Sequence, residues 1–125
     1  MMTAKIVVHG QDREFVRRLA MMIRQAGYVA FESTVLFELF PALERTCPDL
    51  LVFDYQDAAA LLKSASPLST TRQPRHGQKP ALLALVLPAE RDEAIDRYGQ
   101  RGVHILSKPI LHADLIAKID AILTL

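Results

Sequence analysis

Five short apolar runs, each the length of a strand, alternate along the chain with segments whose apolar residues recur at helical spacing. The runs are Ile6-Val7-Val8, Tyr28-Val29-Ala30-Phe31, Leu50-Leu51-Val52-Phe53, Ala81 to Leu87 and Val103 to Leu106. Runs this continuous, rich in β-branched and aromatic residues, suit strands covered on both faces. Between them, Phe15, Leu19, Met22, Ile23 and Ala26 share one helical face, as do Leu36, Leu39, Phe40 and Leu43. Leu115, Ile116, Ile119, Ile122 and Leu123 repeat the pattern at the end of the chain. Weaker helical segments cover Asp57 to Ala65 and Glu90 to Arg101, the latter with Ile95 and Tyr98 turned inward and Gly102 closing it. Gly27 sits where a helix-closing glycine belongs, Ser33 and Thr34 can cap the second helix, and Pro48 follows its end. Strict alternation with short connections predicts an α/β fold of five β-α units. Right-handed crossovers then make it a doubly wound parallel sheet with helices on both faces, a three-layer sandwich.

At 125 residues the chain is expected to form a single domain, 1–125. Lys and Arg number 15 against 14 Asp and Glu, so no strong overall field argues for nucleic acid or membrane surfaces. Cys47 is the chain's one cysteine and cannot form an internal disulfide; with no signal-peptide pattern at Met1 to Val8, a cytoplasmic location is expected. The longest apolar run, Ala81 to Leu87, lies between Pro80 and Pro88 and is far shorter than the roughly 20 residues of a spanning helix. Ser64 to Pro80, with three prolines and Arg72, Arg75 and Lys79, reads as a long exposed loop. Three cations on such a loop would give weak, salt-sensitive attachment to nucleic acid, so no direct nucleic-acid binding is expected.

In open parallel sheets functional groups collect at the carboxyl ends of strands. That rule points to Gly10-Gln11-Asp12 after the first strand, Asp54 after the third and Ser107-Lys108-Pro109 after the fifth. Asp54 and Lys108 are the groups placed to meet as an ion pair across the sheet top. Asp12 stands where an aspartate caps the free amides of a helix. His9 and His104 fall on strands and His76 and His112 in or near loops, and no two histidines have metal-ligand spacing. Cys47 has no recognisable histidine partner for nucleophilic catalysis. The loop HGQDRE has a single glycine and no hydroxyl, and lacks the phosphate-cradling pattern of nucleotide or flavin enzymes.

Four stretches in order, KIVVH at Lys5 to His9, Gly27, PDLLVFD at Pro48 to Asp54 and SKP at Ser107 to Pro109, together resemble a response-regulator receiver domain over nearly the whole chain. The resemblance implies a flavodoxin-like, CheY-like sandwich with strand order 2-1-3-4-5. It makes Asp54 the equivalent of the phosphoacceptor, with Lys108 and Pro109 matching the family's lysine-proline pair. It also exposes departures. The acidic pair that holds magnesium in the family falls on Gly10 and Gln11, with Asp12 one position late. The hydroxyl residue ending the fourth strand falls on Val86, and the switching aromatic of the fifth strand on Ile105. The turn after the phosphoacceptor, methionine-proline in the family, reads Tyr55-Gln56-Asp57-Ala58.

Magnesium is held by hard carboxylate oxygens, and phosphoryl transfer onto a carboxylate depends on cations that offset the charge. A glycine and an amide supply neither, and without the hydroxyl and aromatic the usual coupled switch is missing. The expectation is a degenerate pseudo-receiver: no enzyme, with no cofactor or metal, serving two-component-type signalling or transcriptional control without phosphorylation. It would bind a protein partner or a second copy through the fourth helix, fifth strand and fifth helix, where Arg91, Arg97, Arg101, Asp114, Lys118 and Asp120 lie. An output domain in a longer chain fits the same resemblance. The alternative is a working receiver phosphorylated on Asp54, with an altered magnesium site involving Asp12.

Overall fold

A computed structural model of the chain describes residues 3–64 and 80–124. Nearly all of the loop expected over 64–80 lies outside these residues. The described elements are β1 (Lys5–His9), α1 (Arg13–Gln25), β2 (Val29–Ser33), α2 (Leu36–Thr46), β3 (Leu50–Asp54), α3 (Ala58–Ser64), β4 (Ala81–Val86), α4 (Arg91–Tyr98), β5 (Val103–Ser107) and α5 (His112–Leu123). Single 3-10 turns, Tyr55–Asp57, Pro88–Glu90 and Gly99–Arg101, precede α3 and flank α4. The strands form one parallel sheet in the order β2-β1-β3-β4-β5.

Alternation along the strands sends side chains to two separate cores. Leu51 and Phe53 of β3 join Val7, Ala84 and Val86 beneath Leu39 and Leu43 of α2, Leu61 of α3, and Ala94 and Tyr98 of α4. Leu50 and Val52 face the other way and join Ile6, Val8, Leu83 and Leu85 against Val16, Leu19, Ala20 and Ile23 of α1 and Leu115, Ile119 and Ile122 of α5. Thus α1 and α5 cover one face, and α2, α3 and α4 the other. β1, β3 and β4 are apolar on both faces because each face meets a helix layer.

The punctuation is more varied than the sequence suggests. α1 closes on Gly27, whose φ of 98° is open to glycine without penalty. α2 closes on Cys47, which adopts a left-handed φ of 48° although it carries a side chain. Ser33 and Thr34 do not cap α2. Its N-cap is Val35, without a side-chain bond, because Ser33 completes β2 and turns its hydroxyl to His9. Ile95 is exposed, while Ala94 and Tyr98, four residues apart, take the inward face, because only the small Ala94 lies one full turn from Tyr98 on the side packed against the core. On the outer edge of the sheet, Arg24 of α1 donates to the Ala30 carbonyl of β2 at 2.8 Å and pairs with Glu32 at 3.1 Å.

Candidate functional site

The carboxyl ends of β1, β3 and β5 converge on an open cleft lined by Gln11, Asp12, Phe15, Asp54, Gln56, Asp57 and Lys108, with a volume of about 500 Å³. Asp54 ends β3, and Lys108 follows β5. Lys108 reaches back over the sheet top, its backbone amide bonded to the Val86 carbonyl at 2.7 Å and its peptide bond to Pro109 cis. Its Nζ lies 3.0 Å from Asp54 Oδ2, with side chains only 20% and 14% exposed. The same ammonium stands 5.1 Å from the ring centroid of Phe15, a cation-π contact that holds it over the cleft. Asp54 Oδ1 accepts from the Gln56 amide at 3.2 Å and so starts the turn that follows β3.

Asp12 is the N-cap of α1. Its Oδ1 accepts from the amides of Glu14 and Phe15 at 3.1 and 3.2 Å, satisfying donors the helix cannot. Gln11 extends its amide the other way, donating to Asp57 Oδ1 at 3.0 Å. Gly10 is a point of close approach: a Cβ there would stand 3.2 Å from Val16 Cγ2 and 4.0 Å from Asp54 Cβ.

Asp57, to which the sequence assigns no role, meets the strand histidine His9 in a further part of the site. Asp57 is 5% exposed, and His9 is 2% exposed. Nδ1 of His9 shares a 2.9 Å hydrogen bond with Ser33 Oγ, its register partner on β2, while Nε2 has no hydrogen-bond partner and lies 4.0 Å from Asp57 Oδ2. Burial pushes the His9 pKa below its ordinary value, against the opposing pull of the Asp57 carboxylate. The imidazole is therefore neutral at pH 7. Nothing local to Tyr-Gln-Asp marks Asp57 as buried; the signal lies in residues far away in sequence that close over it.

The positions assigned by resemblance to a switch are apolar in place as well. Val86 is fully buried at the end of β4, and Ile105 is half-buried, packed against the core under α2 to α4. A different polar link joins the turn after Asp54 to α4. Tyr55 donates its hydroxyl to Glu93 Oε1 at 2.7 Å and meets Tyr98 edge to face, with ring centroids 6.0 Å apart. Burial, reinforced by the bond to Glu93, raises the Tyr55 pKa to about 12, so the phenol remains a donor well into alkaline solution. The remaining histidines are scattered: His104 sits half-buried on β5 and His112 starts α5, whereas His76 lies outside the described residues. Among the described residues, no three His, Cys, Asp or Glu side chains are grouped to hold a metal ion.

Neither a family model nor a curated protein matches the sequence. Solved structures do match the fold. A response regulator from Thermotoga maritima is 16% identical, with a TM-score of 0.77 over 99% of this chain and 100% of that one. A receiver domain protein (CheY-like) from Methanospirillum hungatei JF-1 is 20% identical, with a TM-score of 0.76 over 98% of this chain and 95% of its own. NtrX from Brucella abortus is 18% identical with a TM-score of 0.79 over 98% of this chain, which spans only 26% of the NtrX chain. At such identities the likeness is one of fold: five parallel strands in the order 2-1-3-4-5, wrapped by helices as in CheY-like proteins.

Proposed function

We propose that this chain is a receiver-type signalling module that works through protein contacts without being phosphorylated. One observation carries the reading: each carboxylate at the cleft is committed to a neighbour in the chain. Asp54 pairs with Lys108, Asp12 caps α1, and Asp57 takes the amide of Gln11. The residues present do not fit the magnesium of phosphorylating receivers. A hexacoordinate hard cation needs convergent carboxylate oxygens, and here Gly10 offers none and Gln11 turns its amide toward Asp57. Asp54 and Lys108 then act as a structural ion pair that closes the sheet top.

The partner-binding face in this reading comprises α4, β5 and α5, carrying Arg91, Arg97, Arg101, Asp114, Lys118 and Asp120. Asp120 also receives the hydroxyl of Tyr28, which ties α5 to the end of α1. No helix among the described residues is long and apolar enough to cross a membrane; a cytoplasmic regulator, with an output domain in a longer chain, is the setting that suits this role. Phosphorylation of Asp54 retains one supporting observation, the opening of its carboxylate onto the cleft.

The discriminating experiment is an amide NMR titration with magnesium and then beryllium fluoride, on the native chain and on Asp54→Asn. Unchanged spectra at millimolar magnesium are expected. Shifts at Asp54, Asp12 and Lys108 that vanish in the variant would establish the phospho-receiver instead.

A further inference from the structure

We propose that the exposed face of α2 is a two-fold interface between copies of this chain, a contact separate from the cleft and from the α4-β5-α5 face. Phe37 is 80% exposed, the most exposed of the large hydrophobic side chains described. It lines a shallow groove with Glu38, Pro41 and Arg45, all on α2. Leu39 and Leu43 anchor the opposite side of the helix in the core, so this face is directed away from the sheet. Among the described residues neither Glu38 nor Arg45 enters an ion pair.

The arrangement of these four residues is self-complementary. At about 100° per residue, Pro41 falls at the middle of the exposed arc, with Phe37 one turn before it and Arg45 one turn after. Glu38 and Arg45 lie on the same flank of that arc, two turns apart. A two-fold axis passing beside Pro41, perpendicular to the helix, brings a second α2 across antiparallel. It preserves the flank and reverses the direction, so Glu38 of each copy meets Arg45 of the other, and Phe37 of each lies near Pro41 of the other. Isologous contacts have this reciprocal form. Two ion pairs then line one flank of the contact and the two Phe37 rings the other, with Pro41 between them. The register is set by charge, since a parallel two-fold would put the charges of the two copies on opposite flanks, out of pairing range. One helix face is a small contact, and a weak dimer is expected.

Sedimentation equilibrium of the native chain across a wide concentration range tests this. A monomer-dimer equilibrium is expected. Glu38→Arg and Arg45→Glu should each weaken it by about ten-fold or more, and the double exchange should restore it to within a few-fold. Phe37→Asp should abolish the dimer, while Arg18→Glu on α1, outside both faces, leaves it unchanged. All these side chains are exposed, so loss of folding is not expected, and circular dichroism checks it. Because Cys47 is the chain's one cysteine and is exposed, a spin label there measures geometry directly. The antiparallel pairing separates the two Cys47 backbones by roughly 18 Å along the axis and predicts label distances of roughly 20 to 35 Å. A chain that stays monomeric at millimolar concentration, a dimer indifferent to Phe37→Asp, a double exchange without recovery, or labels beyond roughly 50 Å would each overturn the proposal.

Discussion

Burial of His9 has a consequence in acid. Its folded pKa lies below the ordinary value because burial opposes the charge. The unfolded chain takes up this proton as the pH falls through about 6.5, while the folded chain still resists. The stability contribution is therefore complete above that pH, declines as the pH falls below it, and is exhausted once the pH passes under the folded value. His104, lowered by burial and by Lys118, acts in the same direction. Urea midpoints measured from pH 7.5 to pH 5 should fall for the native chain, and fall less steeply for His9→Asn; equal slopes would show that His9 is not the group responsible. At this scale the sequence revealed Asp54, Lys108 and Asp12, because strand exits and helix starts are marked by their own neighbours. It concealed Asp57, because that side chain is enclosed by Gln11 and His9, which only the folded sheet brings to it.

Among the elements, α4 is tied to the cleft by two aromatic rings instead of by the apolar Val86 and Ile105. Tyr55 belongs to the turn that Asp54 starts, and its hydroxyl and ring both engage α4 through Glu93 and Tyr98. Tyr55→Phe should lower stability by about 1.5 kcal/mol, the lower end of the net value of one hydrogen bond to a charged group, since Glu93 is exposed. A double-mutant cycle of Tyr55→Leu with Tyr98→Leu should return a coupling of roughly 0.5–1.5 kcal/mol for the edge-to-face contact. A coupling indistinguishable from zero would mean that the rings merely occupy space side by side. This link was not legible in the sequence, since an aromatic beside an aspartate does not announce which helix it will touch. Helix faces were readable from their period, and α1, α2 and α5 bury most of the stripes it marks, except for Ala26, which is exposed at the C-cap of α1. Helix starts were less so: Ser33 has the chemistry of a cap, yet pairing with His9 draws it into β2.

Across the whole molecule, a single sheet separates two cores that share no side chains. Leu39→Ala beneath α2 and Ile119→Ala beneath α5 should each cost about 2–5 kcal/mol. Their effects should add to within about 0.5 kcal/mol, because the sheet lies between them and they have no common neighbour. Urea unfolding of the single variants and, where it still folds, of the double variant checks this; strong non-additivity would mean that the sheet transmits strain from one layer to the other. The sandwich itself was legible because apolar runs alternating with helical stripes permit few other arrangements. The strand order was not contained in that alternation, and came from the resemblance to receivers. The guanidinium of Arg24, bonded to the outward carbonyl of Ala30, has a further effect. A sheet sheathed by helices can grow only sideways, strand upon strand, and β2 is one of the two flanks where a stray extended peptide could attach. With that carbonyl occupied and Glu32 drawn in beside it, this flank offers an incoming strand a broken row of acceptors, which disfavours the strand-upon-strand addition that builds fibrils at that edge.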